Sequence, residues 1–397
     1  MLNRSIAFLP AFALLTLGFS AIPSARAEYT VESLLNSSTA VGWSGNSGFS
    51  GDFPTPVIND HGLVAFSGYQ SGSGDYALLT AHTGTPGVAT FLNNTVAGSW
   101  PLWSTYSYAI DNANNVLWLN DETGTRMLAT VNPSNPNHPT FYPATSPTIS
   151  GRSLGMNQGG FYTFRDTLWG ASVSVYDSNT DTLRTLSVAG ELNNDGAAGI
   201  NDQRQVVYAT NAGTLFLYDW DSDTQAALVP TNNVIAAVNT WGNQPAINNH
   251  GLIAFSGQDL LTGDFGLYTL DLVDPSMEAR LIAALEFEPM LPLAMNDEGW
   301  IVFTDLVEGE LSLRVWDGET ISTLLTTGDL FDGSTVVNLM LSSYGINESG
   351  EVVFGYELAN GDFGIGYTII PEPASWAFLV MGGLATAVWR RRGKTAA

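Results

Sequence analysis

The chain has 397 residues, rich in glycine (41), tyrosine (14), phenylalanine (19) and tryptophan (11), with no cysteine. The missing cysteines exclude disulfides, thiolate metal sites and cysteine nucleophiles, while the Gly/aromatic excess suits short β-strands joined by tight turns. Between Glu28 and Ile370 there are seven arginines, no lysine and 37 acidic residues, a formal charge of −30. Such a charge repels nucleic acid and anionic headgroups and excludes a nucleic-acid partner.

Residues 1–27 carry Arg4, an apolar run from Ile6 to Phe19 and the small-x-small triplet Ala25-Arg26-Ala27. That order predicts a secretory signal peptide removed by signal peptidase before Glu28. Residues 29–35 then read as a single strand.

Residues 28–370 are built on a repeat, Asn-x-x-Gly-x-x-small-aromatic. Its seven copies are Asn59/Gly62/Phe66, Asp111/Asn114/Trp118, Asn157/Gly160/Phe164, Asn201/Arg204/Tyr208, Asn248/Gly251/Phe255, Asn296/Gly299/Phe303 and Asn347/Gly350/Phe354. Their first positions are 52, 46, 44, 47, 48 and 51 residues apart, the period of a four-stranded propeller blade. An Asn at the first turn position can accept a backbone N–H two residues on. Gly at the fourth position takes positive φ, so the motif joins two antiparallel strands. Arg204 stands where Gly belongs, and a wider or different turn is expected there.

An alternating strand follows each turn, with the small residue and the aromatic on opposite faces, packing against different neighbouring blades. Third strands are expected at 215–219, 266–271 and 313–317, and fourth strands at 183–188, 280–285 and 321–325. The seventh unit ends with a third strand at 364–370 and lacks a fourth, which the 29–35 strand can supply. The fold expected is all-β: a seven-bladed propeller of four-stranded antiparallel blades, its N-terminal strand closing the last blade and protecting an open edge.

Candidate chemistry inside the repeat is sparse. His61 and His250 occupy the same position of two turns on different blades, and His82 and His138 fall elsewhere, so no catalytic residue is assigned. Asp219, Asp221 and Asp223 alternate as calcium-loop carboxylates do, without the Gly and later Glu of an EF-hand-type loop. Calcium is the one candidate cofactor there; a hairpin turn is the favoured reading, as for the equivalent 177–181 and the weaker 191–196. Trp43, Trp100, Trp103 and Trp241 lie between motifs, where they could pack between blades or stack on sugar rings. Paired carboxylates could serve glycoside hydrolysis, but with so many acids some pair always meets the spacing.

The chain ends in Pro371-Glu372-Pro373, an apolar segment at 374–389 bounded by Trp376 and Trp389, and Arg390-Arg391-Arg392. A transmembrane helix with its basic end in the cytoplasm is the expectation. This tripartite region, 371–397, resembles the sorting signal of bacterial PEP-CTERM proteins, and the Asn-x-x-Gly-x-x-Ala-Phe units resemble tandem repeats of exported proteins that often carry that tail. The resemblance implies export in a Gram-negative bacterium, transient inner-membrane retention, processing by an exosortase near Pro371, Glu372 and Pro373, and delivery to the cell surface or matrix. It adds little about activity. The sequence favours a non-enzymatic propeller acting in binding or structure, with exopolysaccharide as the candidate contact. An extracellular polysaccharide hydrolase or lyase at the ring's central mouth is the alternative, and a calcium-stabilised scaffold a third.

Overall fold

The computed structural model describes residues 29–41, 55–69, 76–93, 108–120, 127–136, 138–142, 149–166, 172–186, 198–210, 213–232, 234–236, 244–286 and 292–371. The signal peptide, the 374–389 segment, Glu372, Pro373 and Arg390 to Arg392 lie outside these residues.

The described strands form seven antiparallel sheets arranged as the blades of a propeller. Blade 1 runs from its inner strand Val57–Ile58 through Leu63–Tyr69 and Tyr76–His82 to the outer Thr90–Asn93. Blades 2, 3, 4 and 6 repeat that order. Third and fourth strands fall close to the expected ranges, as Leu215–Asp219 in blade 4 and Arg280–Leu285 in blade 5 illustrate.

In blade 7 the outer strand is Glu32–Asn36, hydrogen-bonded to Phe363–Ile369. The N-terminus therefore closes the ring, as the missing fourth strand requires. Leu34 and Leu35 drive the closure, being 2% and 1% exposed inside the seam between blades 7 and 1.

Seven apolar clusters hold the ring together, one at each seam between blades. Alternation along the second strand feeds two seams at once. Phe255 packs back against blade 4, whereas its neighbour Ala254 packs forward against blade 6. Phe66 and Ala65 divide blade 1 in the same way. Aromatics are needed because a radial blade leaves a wedge that widens outward, and a large ring fills it.

Two inner strands depart from the simple plan. In blade 5 the second strand, Leu252–Asp259, pairs inwardly with two short pieces, Val234–Ala236 and Ala246–Ile247. In blade 7 the inner strand Ser334–Met340 is preceded by a short strand, Leu330–Phe331, and gives way at 341–345 to a segment that turns into the channel before Ile346 bridges Val352.

Candidate functional site: the propeller mouth

The seven turns lie together at one face of the ring and build its mouth. In five of them the fourth-position glycine, Gly62, Gly160, Gly251, Gly299 or Gly350, has φ between 72° and 82°. Asn114 (φ 66°) and Arg204 (φ 64°) take the same conformation. The wider turn expected at Arg204 does not occur: its N–H donates to Asn201 O at 3.1 Å, as Gly251 N–H donates to Asn248 O at 3.2 Å. Arg204 is held in this left-handed region by a 2.8 Å ion pair with Asp221 and by Trp220 N–H donating to its carbonyl.

The first residue of the turn does more than close it. Asn157 Oδ1 accepts the N–H groups of Gly159 and Phe161, both at 2.9 Å, while its Nδ2 donates to Asn201 O of the next blade at 3.0 Å. The same inter-blade bond runs from Asn59 to Asp111 O, Asn201 to Asn248 O, Asn248 to Asn296 O, Asn296 to Asn347 O and Asn347 back to Asn59 O. The one gap is at Asp111, whose carboxylate has no N–H to give.

A second ring lies beside the first. The turn's second residue is Asp60, Asn112, Gln158, Asp202, Asn249, Asp297 and Glu348 in chain order, a side-chain oxygen acceptor every time. Each backbone N–H donates to the next blade's side chain: Asp60 to Asn112, Asn112 to Gln158, Gln158 to Asp202, Asp202 to Asn249, Asn249 to Asp297, and Asp297 to Glu348. Glu348 N–H returns to Asp60 Oδ1 at 2.9 Å and completes the circle. Nothing within a single repeat shows this, but the unbroken run of acceptors at one position is a sequence signal that could have revealed it.

Beneath the rim, the residue before each turn is Ile or Met in every copy: Ile58, Ile110, Met156, Ile200, Ile247, Met295 and Ile346. These line the mouth as an apolar collar. The floor is Tyr344, from the 341–345 segment of blade 7. Its hydroxyl accepts Met156 N–H of blade 3 at 2.9 Å and its carbonyl accepts Ile58 N–H of blade 1 at 3.0 Å. Ser342 Oγ donates to Pro56 O, and Ser343 Oγ to Gln244 Oε1, which leads on to Ala198 O. One segment thus ties blade 7 to blades 1, 3, 4 and 5, and leaves a cavity of about 210 Å³ between floor and rim. Burial pushes the Tyr344 phenol up to about 12, so it stays neutral as a structural hydrogen-bonding group.

The rim's charge is concentrated where Asp297, Glu348 and Asp60 of blades 6, 7 and 1 follow one another. Withdrawal of water, with the negative charges of Asp297, Asp60 and Glu298 nearby, pushes the Glu348 carboxyl up to about 7.

The other candidates do not converge on the mouth. His61, His82, His138 and His250 are all exposed, on three different blades. Asp219, Asp221 and Asp223 point to separate partners. Asp219 accepts Ser222 N–H and Oγ–H, and the former holds its carboxyl below the usual range. Asp221 pairs with Arg204, and Asp223 accepts Tyr218 Oη–H. Asp177 accepts Asn179 N–H and Thr180 Oγ–H in the equivalent hairpin of blade 3. Trp43, Trp100, Trp103, Trp241 and residues 191–196 lie outside the described residues.

No protein-family model and no curated relative matches the chain by sequence. Its fold is similar to that of several solved propellers. An oligogalacturonate lyase from Vibrio parahaemolyticus superposes with a TM-score of 0.55 at 13% identity, over 87% of this chain and 97% of that one. The WD40 domain of Toxoplasma gondii coronin gives 0.53 at 9% identity, covering 87% of each chain. A streptogramin B lyase gives 0.51 at 11% identity, over 86% of this chain and 98% of that one. The lyases and the WD40 domain resemble it about equally, and at these identities the likeness concerns the fold alone.

Proposed function

We propose that the protein is an exported, non-enzymatic propeller of the cell surface or extracellular matrix, acting in binding or structure, with exopolysaccharide as its candidate contact. One observation carries the non-enzymatic part. The carboxylates at the mouth, Asp60, Asp202, Asp297 and Glu348, all come from the repeated turns, and each accepts a backbone N–H from a neighbouring blade. An active site breaks a repeat, placing a base or nucleophile where only one blade supplies it. Among the described residues that line the mouth, Ser343, Tyr344 and Gln244 break the symmetry, and each is engaged with the scaffold: the Tyr344 hydroxyl accepts Met156 N–H, Ser343 Oγ donates to Gln244 Oε1, and Gln244 Nε2 donates to Ala198 O.

Export rests on the 1–27 leader and on the 371–397 tail, with its Pro-Glu-Pro, apolar segment and arginines. In this reading an exosortase processes the tail after transient inner-membrane retention. A glycan-array assay on residues 28–370, with and without calcium, tests the binding part. Retention of a polysaccharide without its depolymerisation is expected; no binding to any sugar sinks the carbohydrate contact, and measured depolymerisation restores the hydrolase or lyase. A large calcium-dependent rise in Tm, reversed by chelator, would establish the calcium-stabilised scaffold.

A further inference from the structure

We infer that, while the tail remains attached, the propeller is held with its turn face against the bilayer, so that the mouth is covered and the opposite face is presented outward. The inference rests on the reading of 374–389 as a membrane segment, and goes beyond it by assigning the face.

The chain's exit decides the orientation. In each blade the inner strand runs toward the turns, the second away and the third back toward them. The last described strand, Phe363–Ile369, is a third strand and ends at the turn face. Ile370 is 1% exposed, and its N–H donates to the carbonyl of Gly350, the glycine of the seventh turn. The chain enters on the same face, where Thr368 Oγ donates to Thr30 O.

Lengths then rule out the opposite face. Three residues separate Ile370 from Ala374, where the membrane segment begins, so the join is four residue steps, at most about 14 Å of fully extended chain. The seven-residue strand Phe363–Ile369 spans about 20 Å from its first residue to its last. A tether shorter than the blade is tall cannot run back along it and still reach a membrane on the far side.

Charge sharpens the picture. The turn face carries the rim carboxylates Asp60, Asp202, Asp297 and Glu348 and hairpin acids such as Asp274. Arg184 and Arg204, which also reach it, are paired with Asp223 and Asp221. An acidic face close to anionic headgroups, within a Debye length of about 8 Å, is repelled by them. The tail holds it there against this repulsion, and cutting the tail frees the mouth.

The absence of native cysteine makes the test direct. His250→Cys places a thiol on the turn face of blade 5, and Leu261→Cys places one on the opposite hairpin of the same blade, where Leu261 is 78% exposed. Each variant, as residues 28–397 without the leader, is reconstituted into phosphatidylethanolamine/phosphatidylglycerol vesicles, recovered by flotation and reacted with a bulky polyethylene-glycol maleimide. The expected result is several-fold slower modification at 250 than at 261, with the rates converging once detergent dissolves the vesicles. Equal rates in floated protein, as edge-on contact would give, or slower modification at 261, overturn the orientation while leaving the anchor intact. Failure to float overturns the anchor reading, and the inference with it.

Discussion

Asn157 shows how much one side chain does at each turn. It is 3% exposed and satisfies two N–H groups of its own turn and one carbonyl of the next blade. Asn157→Ala leaves these buried groups unpaired and is expected to cost on the order of 3 kcal/mol, since each orphaned group costs about 1–3. Asn157→Asp keeps the acceptor and loses only the donor, so its loss of stability should be smaller. The converse experiment is available at Asp111, where the inter-blade donor is missing. Asp111→Asn should close the ring's one gap and add at most about 0.5–1.5 kcal/mol, less what is lost because Asn115 Nδ2 now donates to Asp111 Oδ2 at 2.8 Å, read by denaturant unfolding. An unchanged midpoint would show that the inter-blade bond is worth no more than the Asn115 bond it replaces. Arg204 offers a separate test: Arg204→Gly removes the cost of a left-handed non-glycine residue, about 1 kcal/mol, and forfeits an exposed ion pair of little worth. A small rise in Tm is expected, and a clear fall would mean that the Asp221 pair and Phe161 contact outweigh the backbone strain.

The closing strand is the element on which the ring depends. Leu35→Ala in Glu32–Asn36 is expected to cost about 2–5 kcal/mol, as truncations of buried leucines do. Deleting 29–36 should go further, baring the edge of Phe363–Ile369 and producing self-association visible by size-exclusion chromatography; a monodisperse, folded deletion variant would refute the closure role. This strand was legible in the sequence because a four-strand period left the last unit one strand short. So were Leu215–Asp219 and Arg280–Leu285, where apolar alternation is regular and a turn bounds each end. The two-piece inner strand of blade 5 and the inward turn of 341–345 were not legible. Nothing local distinguishes Tyr344 from other interior aromatics, because its partners are supplied by blades far away in the chain. The rim lay between these cases. Its acceptors stand at one position of every repeat, yet their purpose appears only when closure sets each turn beside the next.

At the scale of the whole molecule, the rim and the hairpins titrate in opposite directions. Glu348 has its carboxyl pushed up to about 7 in the folded ring, by withdrawal of water and by Asp297, Asp60 and Glu298, against an ordinary glutamate value of about 4.3 in an unfolded chain. Between those limits the folded state holds the proton and the unfolded state has lost it. Stability from this group is thus fully present below the unfolded value and declines as pH rises through about 7. Asp219, held down first by Ser222 N–H, and Asp177 and Asp317, where hydrogen bonds overcome the opposing effect of burial, behave the other way. Their stabilisation is present above the unfolded aspartate value and is lost as pH falls through their lowered ones. The two limbs predict a Tm that peaks in mildly acidic solution and falls toward pH 8 as well as toward strong acid. Self-repulsion of the acidic domain would also lower the alkaline limb, so Glu348→Gln is the deciding variant. It fixes position 348 in its neutral form while keeping a side-chain oxygen for Asp297 N–H, and should raise Tm at pH 8 more than at pH 5. Because Glu348 is exposed to solvent, the difference should be modest and should shrink in high salt. An equal shift at both pH values would place the alkaline limb in the charge of the whole domain and remove Glu348 from the account.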